Sequence, residues 1–148
     1  GEEPLDLGIG VLLAIYHDAA EILTGDLPTP VKYFSSEISE AYKTVEAAAC
    51  QSLLDLLPAD LREDYTPYLL PADHYPRYLP YLKAADRFSA LVKCMEETRQ
   101  GNFEFRRAAA QTREAITAMA LPEADCFLQD FIPAFEKTLD ELQTQEEL

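Results

Sequence analysis

The stretch AIYHDAAEILTGDLPTPVKYF, residues 14–34, sets His17, Asp18 and Glu21 within two helical turns of an otherwise apolar segment. Ionised groups removed from water cost free energy unless they are paired, hydrogen-bonded or bound to a metal. His17 and Asp18 are neighbours that diverge by about 100° on a helix, so both can reach a cation lying at that edge. Glu21 follows Asp18 by three residues and His17 by four, which returns it to the same side. An imidazole with a carboxylate suits a divalent transition-metal ion. A bare His-Asp pair is more often a satisfied core histidine beside an acid that meets an arginine. A third ionisable group in so apolar a helix tips the balance toward a cation.

Asp86 is the second anomaly. A helical wheel places it between Leu79 and Leu82, on the apolar side of its helix, with Lys83 and Arg87 projecting elsewhere. Read alone it is a buried ion pair with a distant arginine; beside His17 and Asp18, a shared metal is the better account. The loop adds Thr24, Asp26, Thr29 and Lys32, whose hydroxyls, amides and ammonium could hold a phosphate or a sugar. The same loop is equally a capped helix end with a Pro-stiffened turn. His74 reads as a solvated loop histidine, and Tyr75, Tyr78 and Tyr81 as packing residues rather than a base-stacking platform. Glu96, Glu97 and the closing QEEL read as solvated charge.

The elements that must position these residues are helical throughout. The pattern predicts a first helix over Leu7–Leu23, apolar on nearly every side and therefore buried and central, with Gly25 at its C-terminal cap. Pro28 and Pro30 stiffen the loop that follows. A second helix spans Ser36–Leu57, its apolar stripe running from Ile38 through Val45 to Leu56, and Pro58 ends it. Residues 59–75 hold one short helix and a Pro-broken polar loop. Further helices are predicted over Tyr78–Gln100, stopped by Gly101, over Phe103–Ala120, and over Pro122–Leu142, the last kinked by Pro133; the tail QTQEEL frays.

With 27 acidic against 12 basic residues, the net charge is −15. A field of that sign opposes nucleic-acid polymers and anionic membrane surfaces, so neither is expected as a partner. A small phosphate ester can still be held where a bound cation supplies local positive charge. The 148 residues, 48% hydrophobic, suit one domain spanning 1–148. Cys50, Cys94 and Cys126, odd in number and far apart, read as reduced thiols of a cytoplasmic protein. The longest apolar run, VLLAI at 11–15, is too short to span a bilayer, and no signal peptide is visible.

Three segments, YHDAAEILTGDLPTPVKYF, YLKAADRFSALVKCMEE (81–97) and CFLQDFIPAFEKTLDEL (126–142), together resemble the bacterial 5'-deoxynucleotidases (YfbR-like) of the HD-domain phosphohydrolase superfamily. The likeness covers almost the whole chain. An HD dipeptide alone is weak; combined with the Glu three residues on, TGDLPTPVKY and a later KAAD, it is specific. The resemblance implies an all-α HD-domain helical bundle that binds one divalent metal, Mn, Co or similar, through an H…HD…D set. His17, Asp18 and Asp86 fill its last three places. Glu21 takes the place of the catalytic acid, and Asp18, Asp26, Leu27, Pro28, Thr29 and Asp86 those of substrate-binding residues. Members remove phosphate from deoxyribonucleoside 5'-monophosphates, usually as cytosolic homodimers. The family's first metal His, in an SEHS-like segment, and the Arg before it do not stand in these 148 residues, which open at Gly1. The expectation is an N-terminally incomplete domain lacking the family's first two helices, with apolar faces left open to association.

The functional expectation is therefore metal-dependent phosphomonoester hydrolysis, with Glu21 moving a proton. The alternative is a non-catalytic helical nucleotide-binding or regulatory module with a degenerate HD site. A blander option is an acidic dimerisation module whose polar residues form only ion pairs.

Overall fold

Asp6 opens the first helix, α1 (Leu7–Tyr16). Its Oδ1 accepts from the Ile9 amide at 3.1 Å, and its own amide donates to the Tyr78 hydroxyl at 2.8 Å. An Asp at this place satisfies one of the donors that a helix start leaves open. The computed structural model describes residues 4–27, 35–138 and 141. In chain order α1 is followed by α2 (Glu21–Thr24), α3 (Ser36–Leu56), α4 (Ala59–Leu69), α5 (Pro71–His74) and a 3-10 turn at Pro76–Tyr78. Then come α6 (Leu79–Arg99), α7 (Phe105–Thr117), α8 (Pro122–Asp130) and α9 (Ile132–Phe135). No strand occurs among the described residues, so the class is all-α as expected. The backbone gathers into two compact units, Gly1–Leu82 and Lys83–Leu148.

In the first unit α3 lies against α2 and α4, and α1 and α5 lie against α4. Ser35 caps α3 by accepting from the Ile38 amide at 3.2 Å. Arg62 of α4 closes its other end: Nε donates to the Leu54 carbonyl at 3.1 Å, and Nη2 to those of Asp55 and Leu57 at 3.3 and 3.2 Å. One guanidinium thus serves three carbonyls where the helix has run out of amides and its dipole favours positive charge.

The long first helix of the sequence pattern is not what forms. The chain breaks at His17, and only Leu13 and Ala20 are buried, while Leu7, Val11, Ile15, Ile22 and Leu23 are more than half exposed. An apolar pattern on every side states a capacity for burial; here the described residues use it on one side only. The 18 residues Leu7–Thr24 reach a mean hydropathy of 1.4, enough by length and composition to cross a membrane, a longer stretch than the VLLAI run considered above. Residues 59–75 are more helical than expected. Pro67 sits in the last turn of α4, and Pro71 and Pro76 open the next two elements, where no amide is needed. The final predicted helix is divided at Phe131, two residues before Pro133, rather than merely kinked; its stretch from 139 onward, with the QTQEEL tail, lies outside the described residues apart from Glu141.

The second unit has its own core. Ala84, Phe88, Leu91 and Met95 of α6, at spacings of four, three and four, meet Ile116 of α7, Ala124 and Phe127 of α8 and Ile132 of α9. Phe88, Phe127 and Phe131 follow one another at centroid distances of 4.7 and 5.0 Å. Arg87 Nη1 donates to the Ala115 carbonyl at 2.7 Å. The end of α6 is a Schellman turn: Gly101 at φ +94° donates to Thr98, and the Asn102 amide reaches back to the Glu97 carbonyl at 2.9 Å. Glu97 is not the solvated charge that the sequence suggested. Its carboxylate meets Lys93 Nζ at 2.9 Å and Asn102 Nδ2 at 3.1 Å, and these two partners hold its carboxyl below the usual range.

Truncating Ile116, which is fully buried, to Ala is expected to cost about 2–5 kcal/mol and to lower the urea midpoint. Val45→Ala, at a half-exposed site, should change stability by no more than about 0.5 kcal/mol. A carboxyl that titrates lower in the folded chain confers stability at neutral pH, and that stability is lost as the pH falls through the folded value. Glu97→Gln is therefore expected to melt below the parent at neutral pH, the gap closing in acid; a gap independent of pH would exclude the ion pair as its cause.

Candidate active site

Beyond Tyr16 the chain leaves α1 through a run of tight turns. The Ala19 amide bonds the Tyr16 carbonyl at 3.0 Å, Glu21 that of Asp18 at 2.9 Å, and Ile22 that of Ala19 at 3.2 Å. Bonds of this i to i−3 type wind about three residues per turn instead of 3.6. Angles read from a regular helical wheel therefore do not carry across the break.

His17 is fixed by the helix it follows. Its Nδ1 lies 2.8 Å from the Ala14 carbonyl. A carbonyl only accepts, so Nδ1 carries a proton and donates. Nε2 faces Asp18 Oδ2 at 2.9 Å. One cation can bridge Nε2 and Oδ2 at this distance. Donors held at about 2.1 Å and at right angles around one ion stand about 3.0 Å apart, close to the spacing observed. An Nδ1 proton pinned by a backbone carbonyl is also the usual way in which a ligating histidine is oriented. His17 and Asp18 thus fit a divalent ion as two of its ligands. Among the described residues no three His, Cys, Asp or Glu side chains group closely enough to complete a set.

The remaining candidates are placed as follows. Glu21 is the first residue of α2 and is half-buried. The Thr24 hydroxyl donates to the carbonyls of Ala20 and Gly25 at 3.3 and 3.0 Å, so its proton is engaged with backbone and is not offered to a phosphate. Asp26 is exposed and Leu27 half-buried. Pro28, Thr29 and Lys32 lie outside the described residues. His74 ends α5 and is exposed, as a solvated histidine should be.

Asp86 departs from expectation. It lies on α6 in the second unit and is exposed, not directed into a core. The wheel that seemed to bury it was anchored on Leu79 and Leu82, whereas the second unit's core is anchored on Ala84 and Phe88. Two residues from Ala84 is about 200° around the helix, the opposite side. Sequence reading also missed the Ala14 carbonyl that orients His17; the available signal was its place one turn earlier, among carbonyls that a helix end leaves open.

An all-helical chain with an adjacent His and Asp at a helix break is compatible with the class of HD-type phosphohydrolases, and the comparisons with known proteins place it there. Residues 2–135 match the model of the YfbR-like 5'-deoxynucleotidases, and the chain belongs to that family, which implies a divalent metal. The 5'-deoxynucleotidase of Vibrio cholerae is 47% identical over 131 residues, 88% of this chain and 68% of that protein. That of Klebsiella pneumoniae is 44% identical over the same share of this chain and 66% of its own length. The Escherichia coli relative, 5'-deoxynucleotidase YfbR, is 42% identical with 66% of its length covered.

Gly25 closes α2 at φ +71° and ψ 163°, and its amide bonds the Glu21 carbonyl at 2.9 Å. An added Cβ would meet nothing within 4 Å, so Gly25→Ala isolates the backbone term. That region is open essentially to glycine alone and costs other residues about 1–3 kcal/mol. A loss in this range on urea denaturation is expected, and an unchanged midpoint would mean that the turn at Gly25 relaxes freely.

Proposed function

We propose that the chain hydrolyses deoxyribonucleoside 5'-monophosphates to deoxynucleoside and phosphate at a site built around His17 and Asp18. The observation that carries this reading is the His17 imidazole, pinned through Nδ1 to Ala14 and turned with Nε2 onto Asp18 Oδ2 at 2.9 Å. Kinship with 5'-deoxynucleotidases supplies the substrate class. His17 and Asp18 would hold the metal, and Mn²⁺ or Co²⁺ suits such mixed nitrogen and oxygen donors. When bound, an ion of this kind neutralises charge on phosphoryl oxygens and makes water acidic enough to attack near neutral pH.

The chain's own residues do the rest. Water adds its oxygen to phosphorus as the bond from phosphorus to the 5'-oxygen breaks, and the departing oxygen needs the proton that the water loses. Glu21 moves that proton, within hydrogen-bond reach of one oxygen or the other. Asp26 accepts from the 3'-hydroxyl of the deoxyribose, and Leu27, with Pro28 and Thr29 of the same sequence motif, belongs to the substrate-binding set. The imidazole cannot turn without giving up its bond to Ala14, so Nε2 stays aimed between turnovers. The same reading takes the protein as a cytoplasmic homodimer.

One observation favours a second reading, a nucleotide-binding module that does not cleave: no three-donor group exists among the described residues. Phosphate release from deoxynucleoside monophosphates in the presence of Mn²⁺ separates the two. Glu21→Ala is expected to lower kcat by about 10²–10⁴-fold with Mn²⁺ content unchanged, and His17→Ala to lower Mn²⁺ content itself. Binding of dAMP by the parent without phosphate release would replace hydrolysis with the binding module, and normal turnover by Glu21→Ala would remove Glu21 from the mechanism.

A further inference from the structure

Five tyrosines of the first unit form a continuous ladder of rings. Tyr16, the last residue of α1, meets Tyr65 of α4 edge-on at 5.7 Å and Tyr68, one turn along, at 6.4 Å. Tyr68 stacks on Tyr75 at 6.0 Å, and Tyr75 meets Tyr78 edge-on at 5.7 Å. The Tyr78 hydroxyl accepts the amide of Asp6, whose carboxylate caps the start of α1. The ladder therefore leaves α1 at its last residue, crosses α4 and the 3-10 turn, and returns to α1 at its cap.

Among the described residues this helix, which lies against α4, has little other burial. Leu13 is its one buried residue, and Leu7, Val11 and Ile15 are largely exposed. A helix so lightly packed can rotate or slide unless its ends are tied. Its last turn carries both Ala14, whose carbonyl holds His17 Nδ1, and Tyr16, which precedes His17 directly. Any shift of that turn moves the carbonyl, the imidazole and Asp18 together.

We infer that the ladder of Tyr16, Tyr65, Tyr68, Tyr75 and Tyr78 is the positioning device of the site, tying both ends of α1 and so setting where His17 Nε2 and Asp18 point. This rests on the reading of His17 and Asp18 as metal ligands. The ladder's aromatic edges and faces are directional contacts with preferred geometry, which is what register control requires and what aliphatic packing lacks.

Tyr68 is the rung to cut, since the ladder joins it to the site only through Tyr16. Two readouts are taken, amide hydrogen exchange and affinity for Mn²⁺ alone. Tyr68→Ala is expected to speed exchange of the Ile15, Tyr16 and His17 amides at least tenfold, with α6, α7 and α8 protected as in the parent, and to weaken Mn²⁺ binding at least fivefold. Tyr68→Phe, which keeps the ring and gives up only the hydroxyl's hydrogen bond with Tyr75, should stay within about twofold of the parent in both. Tyr78→Phe is a milder cut, removing only the hydroxyl on the Asp6 amide, and should speed exchange in the first turn of α1 several-fold. Parental exchange in Tyr68→Ala, or faster exchange with unchanged Mn²⁺ affinity, overturns the proposal, as does a Tyr68→Phe variant as impaired as the alanine. If the parent binds no more Mn²⁺ than His17→Ala, the metal reading falls and takes the ladder's role at the site with it. The exchange data then report separately whether the rings brace α1.

Discussion

The hydrogen bond from His17 to the carbonyl of Ala14 is the contact on which the proposed site depends. Every α-helix ends with carbonyls that have no amide to receive, and at the end of α1 one of them is taken by an imidazole. That one bond settles three matters together. It offsets part of the cost of stopping an apolar helix, it places the ring proton on Nδ1, and it leaves Nε2 facing Asp18. Had the helix continued in regular turns, as its residues favour, backbone amides would compete for the same carbonyl.

Much of the helical frame was readable because chemistry marks its ends. Pro58 and Gly101 carry functions that depend little on tertiary context: a ring without an amide, and a backbone free to take positive φ. The break at His17 carries no such mark. No Gly or Pro stands there, and the turn is held by hydrogen bonds that local residue types do not announce. The types of His17, Asp18 and Glu21 were legible as a chemical set; their geometry was not, because it follows from the break. Asp86 failed for a different reason. The largest apolar residues near it set its wheel, while the true core face begins at a small one, Ala84, whose burial no hydrophobicity pattern emphasises. Tyrosines read singly as packing residues proved to be connected, a relation between α1, α4 and the 3-10 turn that spacing along the chain cannot express.

The two longest helices are closed by opposite means. At the end of α3 a cation arrives from the next helix and collects carbonyls, so closure is tertiary and links α3 to α4. At the end of α6 closure is local, made by a glycine and by the acid and amide on either side of it. The first unit thus joins two helices through its helix end, whereas the second ends its long helix within the residues that immediately follow.

The open side of α1 carries a further consequence when set against the net charge of −15. An exposed apolar ridge draws copies together, and a strongly negative envelope keeps them apart. Only the second force reaches through solution, and ions shorten it: the Debye length falls from about 30 Å at 0.01 M to about 8 Å at physiological ionic strength. Dilute buffer therefore favours separate chains, and salt removes the barrier while leaving the ridge untouched.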